Sequence, residues 1–160
     1  MSRSQSELRK ILDYDPVTGH LIRKVKTSNN TKVGERAGWK TANGYRAISI
    51  FGKQHLEHRL IYLWMTGAFP QNNVDHINQI KDDNRWNNLR LATKSQNEGN
   101  TPLRKNNKSG HKCVCWDSSR SKWLVVVAKK FIGRHTNKDE AISVAKKELK
   151  KHYGEFSFEK

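Results

Sequence analysis

Hydrophobic positions recur at two spacings along the chain, and each spacing predicts a different element. Apolar and polar residues alternate over residues 45–50, which predicts a strand, because neighbouring side chains of a strand face opposite sides. Leucine and tryptophan recur every three or four positions over residues 55–66, which predicts a helix that ends at Gly67. A shorter helix is predicted at residues 6–12 and a turn at residues 15–19. The first seventy residues are therefore predicted to form a small α+β module.

The last fifty residues show a second pattern of strands followed by a helix. Three short apolar stretches, at residues 112–116, 122–129 and 131–135, predict three strands. Asn137 is the predicted N-cap of the helix, and Glu140 is its predicted capping-box partner. We therefore predict a three-stranded sheet packed on one amphipathic helix, and an α+β fold made of small modules.

Charge narrows the class of partner. The 160 residues include 31 Lys and Arg against 15 Asp and Glu, a formal net charge of +16. A field of this size attracts polyanions, and nucleic acid is the commonest such partner. Residues 51–100 are almost neutral, whereas the segments on both sides are strongly basic. This distribution fits a metal site flanked by segments that bind phosphates, with a ribosomal or membrane-surface protein as the alternative.

Cysteine usage and hydropathy narrow the setting. Cys113 and Cys115 are one residue apart, so a disulfide between them would be strained, and both are predicted to be small packing residues. With no second cysteine pair, a four-cysteine zinc site is excluded and no zinc is expected. No signal peptide opens the sequence and no apolar run reaches membrane-spanning length, which predicts a cytoplasmic protein without a membrane partner.

The segment from residue 74 to residue 97 holds the groups that phosphodiester hydrolysis needs. That reaction requires a base to activate water and a Lewis acid to neutralise charge on the phosphate and leaving oxygen. The Asp75 carboxylate and the Asn97 amide offer the oxygen ligands that Mg²⁺ prefers, and His76 titrates near neutral pH. Adjacent strand residues face opposite sides, so a site that uses both Asp75 and His76 requires a bend or strand end there.

These residues resemble the HNH endonucleases, in particular the zinc-free enzymes of phages and mobile introns. The resemblance lies in Asp75-His76, in Asn88 twelve positions after His76, and in Asn97 twenty-one positions after it. It implies a ββα-metal fold in which His76 is the general base and Asn88 orients its imidazole. It also implies that Asp75 and Asn97 bind Mg²⁺ or Mn²⁺. The third letter of the motif is Asn here rather than His.

Simpler interpretations remain for several of these residues. An Asp-His pair can merely close a turn, and asparagine-rich loops are usually turns, so Asn84 is predicted to be structural rather than catalytic. Arg59 and Arg85 are candidates for phosphate contacts, with surface packing or ion pairing as the alternative.

A second resemblance covers about residues 109–156 and is to the AP2 DNA-binding domain. It lies in Trp116, in Lys122-Trp123, in Gly133 and in residues 152–156. It implies that the sheet lies in the major groove of DNA. The predicted DNA contacts in this segment are Lys112, Trp116, Arg120, Lys122, Trp123 and Arg134. Two further predicted contacts lie before it, Arg59 and the linker residue Lys105. Trp116 and Trp123 could equally belong to the core.

Together these patterns predict four segments: an N-terminal α+β module at 1–72, a ββα-metal nuclease motif at 73–100, a basic linker at 101–108 and an AP2-like module at 109–160. The predicted function is metal-dependent, homing-type cleavage of double-stranded DNA by a monomer or DNA-dependent dimer. If the chain is phage-encoded, it would act in the cytoplasm of a bacterial host. The alternatives are a non-catalytic AP2-like DNA-binding regulator and an RNA-binding or RNA-cleaving protein.

Overall fold

The structure is a computed structural model that describes residues 4–157. The chain divides into two compact units, Met1–Thr93 (unit 1) and Lys94–Lys160 (unit 2). Each unit combines small antiparallel sheets with helices, which confirms the predicted α+β class. No helix within residues 4–157 is long and apolar enough to span a bilayer.

Unit 1 contains two helices, seven short strands and one 3₁₀ turn in its described residues. The helices are α1 (Gln5–Ile11) and α2 (Glu57–Thr66), and the 3₁₀ turn is Trp86–Asn88. The strands are β1 (Leu12–Asp15), β2 (His20–Arg23), β3 (Trp39–Lys40), β4 (Arg46–Ile50), β5 (Lys53–Leu56), β6 (Asn73–His76) and β7 (Leu89–Ala92). They pair as β1-β2, β3-β4-β5 and β6-β7, all antiparallel.

Local signals set the start of α1 and the end of α2. Ser4 caps α1, since its hydroxyl accepts from the Glu7 N–H while the Glu7 carboxylate accepts from the Ser4 N–H. Gly67 ends α2 as predicted, in a left-handed conformation with φ of 84° that a residue with a side chain rarely adopts. The start of α2 was predicted two residues too early. His55 instead pairs with Ile48 of β4, and this tertiary pairing overrides the helical spacing.

One hydrophobic core holds unit 1 together. The apolar face of α2 packs against α1 and the first two sheets, and the hairpin β6-β7 adds one residue from each strand. The buried members are Leu8, Leu12, Tyr14, Leu21, Ala37, Ile48, Ile50, Leu60, Ile61, Leu63, Val74 and Leu89. The core thus fixes the hairpin that carries Asp75 and His76 against α2.

Unit 2 contains two helices, three strands and one 3₁₀ turn in its described residues. These are α3 (Lys94–Gly99), β8 (Val114–Asp117), β9 (Lys122–Val127), β10 (Lys130–His135), α4 (Lys138–Tyr153) and the 3₁₀ turn Gly154–Phe156. The sheet order is β10-β9-β8, and the predicted pairing of three strands with one helix is confirmed. The core of this unit consists of Val114, Val125, Val127, Ala141, Ala145 and Leu149.

Two strand ends in unit 2 differ by two residues from the prediction. Strand β8 begins at Val114 rather than at residue 112, because Cys113 adopts a positive φ of 63°. Ala128 and Lys129, predicted to continue β9, both have positive φ and form the turn to β10. Two consecutive positive φ values are typical of the tight turns that match strand twist. Such turns usually contain Asn or Gly, so Ala-Lys gave no signal for one.

Asn137 caps α4 as predicted, but Glu140 plays a different part. The Asn137 side chain accepts from the N–H groups of Asp139 and Glu140, at 2.7 and 3.2 Å. The Glu140 carboxylate instead lies 3.0 Å from Nδ1 of His135 on the neighbouring strand. The cap therefore satisfies two helix N–H groups with one amide oxygen.

Candidate active site

Asp75 and His76 are the last two residues of β6. A site that uses both side chains requires such a strand end, because adjacent strand residues face opposite sides. Their neighbours across the hairpin are Arg90 and Leu89. Both polar side chains are buried, with 6% of Asp75 and 4% of His76 exposed. Burial without partners would destabilise either group, so the surrounding hydrogen bonds decide what each can do.

The Asp75 carboxylate is paired across the hairpin. Nε of Arg90 donates to Oδ2 of Asp75 at 3.0 Å, and both side chains are largely buried. A charge-assisted hydrogen bond of this kind fixes the direction of the carboxylate. Asp75 therefore presents the hard, anionic oxygen chemistry that suits a divalent cation. Within residues 4–157 no group of three or more His, Cys, Asp and Glu side chains could hold a metal ion.

The His76 imidazole is hydrogen-bonded to Asn84. Nε2 of His76 lies 2.8 Å from Oδ1 of Asn84, and the Asn84 side chain is fully buried. The backbone carbonyl of Asn84 also accepts from the Tyr14 hydroxyl at 3.1 Å. Asn84 is thus held at both its side chain and its backbone, in direct contact with the predicted general base.

Asn84 is held in turn by Glu57, the first residue of α2. Nδ2 of Asn84 donates to Oε2 of Glu57 at 2.8 Å, although none of Glu57 is exposed. Nη2 of Arg36 donates to the same oxygen at 2.7 Å, and the Leu21 N–H donates to Oε1 at 3.1 Å. Arg36 also reaches Asp82 at 2.7 Å. We call Arg36, Glu57, Asn84 and His76 the relay.

Two further rings enclose the imidazole of His76. The centroid of the His58 ring lies 5.1 Å away in an edge-on arrangement, and that of Tyr45 lies 6.0 Å away. Burial, followed by the nearby His76 and Arg59, lowers the pKa of His58 to about 3. His58 is consequently neutral at physiological pH, and its buried Nδ1 has no hydrogen-bond partner among residues 4–157. Burial likewise raises the pKa of Tyr45.

Asn88 closes the loop that joins β6 to β7. Its Nδ2 donates to the carbonyl of Asp83 at 2.7 Å and to Oδ1 of Asn78 at 2.9 Å, while its Oδ1 accepts from the Asn78 N–H. The Asp83 carboxylate in the same loop has its pKa lowered to about 2 by hydrogen bonds from Arg85 and then Asn78. The structure thus gives Asn88 a loop-closing role, and its direct action on the imidazole stays a prediction.

Three further predicted site residues, Arg59, Asn97 and Lys105, lie in different surroundings. Arg59 donates to the carbonyls of Pro70 and Asn72, at 2.8 and 3.3 Å, so its guanidinium braces the approach to β6. Asn97 is a half-buried residue of α3 in unit 2. Lys105 is exposed in the segment that follows. The roles predicted for these three residues stay predictions.

The two tryptophans of unit 2 lie on the helix side of the sheet. Trp116 pairs with Trp123, and both lie on the same face of the sheet as the buried pair Val114 and Val125. The centroids of the two indole rings are 5.1 Å apart. Trp123 packs against the core, whereas half of Trp116 is exposed. Because alternate strand residues face opposite sides, the other face of the sheet lacks both tryptophans.

Cations on that other face surround Asp117. Arg134 donates to Asp117 at 3.1 Å and lies over the ring of Phe131, while Arg120 is 3.5 Å from the same carboxylate. Hydrogen bonds from Ser119 and then Arg134 lower the pKa of Asp117 to about 2. Lys122, the register partner of Asp117, is exposed. These cations are accessible to a polyanion, but their contact with DNA stays a prediction.

Lys112 is engaged inside unit 2. Its ammonium donates to the carbonyls of Glu98, Gly99 and Thr101, at 3.0, 2.6 and 2.9 Å. Burial lowers the pKa of this lysine. An ammonium has three hydrogens, so these three contacts at the end of α3 occupy its donors.

Arg36 and Glu57 were not among the predicted site residues, and Asn84 was predicted to be structural rather than catalytic. One signal for Glu57 was available: it lies three and four positions before Leu60 and Ile61, on the face of α2 that enters the core. A charged residue on such a face has to be paired. Which groups pair with it could not be deduced, because Arg36 and Asn84 are distant in sequence.

The comparison with protein families bears on this region. Residues 55–98, about a quarter of the chain, match a family model described as HNH endonuclease. The match includes Glu57, Asp75, His76, Asn84 and Asn97. Neither the curated proteins nor the solved structures provided a match. The matched segment supports a nuclease and thus DNA as substrate.

Proposed function

We propose that the protein is a metal-dependent DNA endonuclease of the HNH homing type. The observation that carries the proposal is the buried Asp75-His76 pair at the end of β6, with the carboxylate held by Arg90 and the imidazole held by Asn84. Both groups lie within the segment similar to HNH endonucleases. A carboxylate able to bind a metal, next to an oriented general base, is what hydrolysis of a phosphodiester requires.

His76 acts as the general base. Its imidazole accepts a proton from the attacking water, and the rings of His58 and Tyr45 restrict the space around it. The neutral state of His58 matters here, since a second cation beside His76 would oppose its protonation. Arg90 holds Asp75 in position throughout.

Asp75 and Asn97 are the proposed ligands of Mg²⁺ or Mn²⁺. The Asp75 carboxylate fits such a hard cation through its oxygen donors and fixed direction, whereas the part of Asn97 rests on the resemblance alone. When bound, the cation would supply Lewis-acid stabilisation of the leaving oxygen. Asn88 supports His76 by closing the loop that also contains Asn84.

Unit 2 serves as the AP2-like part that binds double-stranded DNA. The support is its excess of basic residues and the exposed cations Arg120, Lys122 and Arg134 around Asp117. Such groups bind phosphates irrespective of sequence, and the affinity they give falls as salt rises. Lys105 and Arg59 are further proposed phosphate contacts. A phage origin and a bacterial cytoplasm belong to the same proposal.

The test is cleavage of phage and supercoiled plasmid DNA by the full chain, with and without Mg²⁺ or Mn²⁺. The wild type is compared with His76→Ala and with a control, His152→Ala, which alters an exposed histidine of α4. We expect metal-dependent cutting that falls by about 10²–10⁴-fold in His76→Ala and is unchanged in His152→Ala. Gel-shift affinity for DNA should be the same in all three proteins.

Three outcomes would contradict the proposal in different ways. Unchanged cutting by His76→Ala removes the role given to that residue. Tight DNA binding without cutting in either metal supports the non-catalytic regulator instead. Preferential binding or cutting of RNA in competition supports the RNA-directed alternative.

A further inference from the structure

We propose that Glu57 and Asn84 are positioning residues that set the tautomer of His76, with the proton on Nε2 and the lone pair on Nδ1. The relay that carries this inference runs from Arg36 through Glu57 and Asn84 to the imidazole. The tautomer itself follows from hydrogen bonding alone, whereas its catalytic consequence rests on the function proposed above.

The direction of each hydrogen bond follows from what each group can donate. A carboxylate only accepts, so the Asn84 amide has to turn its NH₂ group toward Glu57, 2.8 Å away. The amide oxygen of Asn84 then faces His76. Because an amide oxygen also only accepts, the hydrogen in the 2.8 Å contact with His76 belongs to Nε2.

Glu57 cannot easily reverse this direction. Its Oε1 accepts from the Leu21 N–H, a strand amide that has no alternative orientation. Its Oε2 accepts from Nη2 of Arg36, and a guanidinium has no acceptor atom. Donors thus surround the carboxylate, which passes a single hydrogen-bond direction on to Asn84.

The N-terminal hairpin fixes the backbone of Asn84 as well. The Tyr14 hydroxyl of β1 donates to the Asn84 carbonyl. Gly19, in the turn between β1 and β2, has a φ of +75°, and a Cβ added there would collide with the backbone of Asn84 and Arg85. The turn at residues 15–19 therefore allows a close approach that only glycine permits. Residues far from the matched segment position its asparagine.

The tautomer decides which ring nitrogen can act as the base. A neutral imidazole has one lone pair, and the nitrogen that carries it is the one able to accept a proton from water. With Nε2 protonated, that nitrogen is Nδ1. The opposite tautomer would present an N–H at Nδ1, which cannot accept the proton.

The test is a long-range ¹H–¹⁵N spectrum of the full chain with ¹⁵N-labelled histidine, recorded without metal at a pH at which the His76 ring is neutral. The His76 signals are assigned by their loss in His76→Gln. We expect wild-type His76 to be protonated on Nε2. In Glu57→Gln the oxygen should stay on the fixed Leu21 N–H while Nη2 of Arg36 keeps Asp82 as its acceptor, so the new NH₂ faces Asn84. Its amide then turns over and moves the proton of His76 to Nδ1.

The matched control is Asp82→Asn. Asp82 also accepts from Arg36 at 2.7 Å, so this variant removes a carboxylate from the same guanidinium without touching Asn84. We expect it to keep the wild-type tautomer and cleavage rate. Glu57→Gln should lower single-turnover cleavage by at least about 100-fold, as wrong-tautomer variants of other histidine-dependent enzymes do, with DNA affinity unchanged. A merely structural role for Glu57 would leave the tautomer as it is.

Two results would overturn the inference. One is a wild-type spectrum with the proton on Nδ1, a result that does not depend on the folding of any variant. The other is a folded Glu57→Gln protein that retains the Nε2 proton. A failure of the nuclease proposal is distinguishable, because it would appear as wild-type DNA binding without cutting, or as unchanged cutting by His76→Ala, while the histidine spectrum still followed the expected pattern.

Discussion

Unit 1 and unit 2 differ in how many polar side chains they bury. Among the described residues, unit 1 buries six polar side chains and unit 2 only two. Those of unit 1 are Glu57, His58, Asp75, His76, Asn84 and Asn88, and those of unit 2 are Asn100 and Ser109. Every ionisable group among the eight lies in unit 1.

This difference shows two uses of charge in one small protein. In unit 1, Arg36 and Arg90 pair with buried carboxylates, so their charge orients site residues. Unit 2 contains sixteen basic and seven acidic residues, and the lysines of α4 at 146, 147, 150 and 151 are all exposed. Buried ion pairs fix the orientation of side chains in a site, whereas exposed charge attracts a polyanion over a long range.

Removal of the buried Glu57 carboxylate should have the largest effect on the contrast between the two units. Glu57→Ala leaves the buried Asn84 amide and the Leu21 N–H without their acceptor and leaves Arg36 with Asp82 alone, and we expect the free energy of unfolding to fall by about 3–5 kcal/mol. The control, Glu35→Ala, removes an exposed carboxylate whose only described ion pair is with Lys32, and should change it by less than about 1 kcal/mol. Urea titration measures both, and equal effects would contradict the expectation.

A second expectation concerns pH and His58. Because folding lowers the pKa of His58 to about 3 from an ordinary value of 6.5, the unfolded chain takes up this proton first on acidification. The contribution to stability is fully present above pH 6.5 and is lost as the pH falls toward 3. Between pH 6.5 and 4.5 the loss should be about 2 kcal/mol.

The variant His58→Gln separates this contribution from other acid effects. We expect urea titrations across that pH range to give a flatter stability profile for His58→Gln than for the wild type. Parallel profiles would show that His58 does not titrate with a depressed pKa. A similar but weaker contribution comes from His20, whose pKa is also lowered, chiefly by burial.

The smallest expected effect is at the cap of α4 in unit 2. Asn137→Ala removes the acceptor for two helix N–H groups and should destabilise the protein by about 1 kcal/mol. Asn137→Ser keeps a capping oxygen and should be close to the wild type. Thermal unfolding compares the two variants, and a larger loss in Asn137→Ser than in Asn137→Ala would contradict the capping role.

Features set by neighbouring residues were predictable from the sequence. Gly67 and Asn137 mark helix ends because their conformation or side chain acts within one turn. The strand end at His76 followed from the alternation of strand side chains, which keeps adjacent residues apart. The motif around Asp75 also predicted the segment that matches the HNH endonucleases.

Features set by distant residues were not predictable. His55 has the spacing of a helix but pairs with β4, and Asn84 has the composition of a loop but contacts His76 and Glu57. In both cases a tertiary partner outweighs the local preference. A single sequence contains no information on which distant groups meet, so the relay became visible only in three dimensions.

The ammonium of Lys112 has a practical consequence for shortened versions of the chain. It satisfies the final carbonyls of α3, yet it lies fourteen positions beyond the last residue of the HNH match. A fragment that ended at residue 100 would contain every matched residue and leave those carbonyls to solvent. The boundary of a fragment that keeps α3 intact is therefore better drawn by the hydrogen bonds that close this helix than by the limits of sequence similarity.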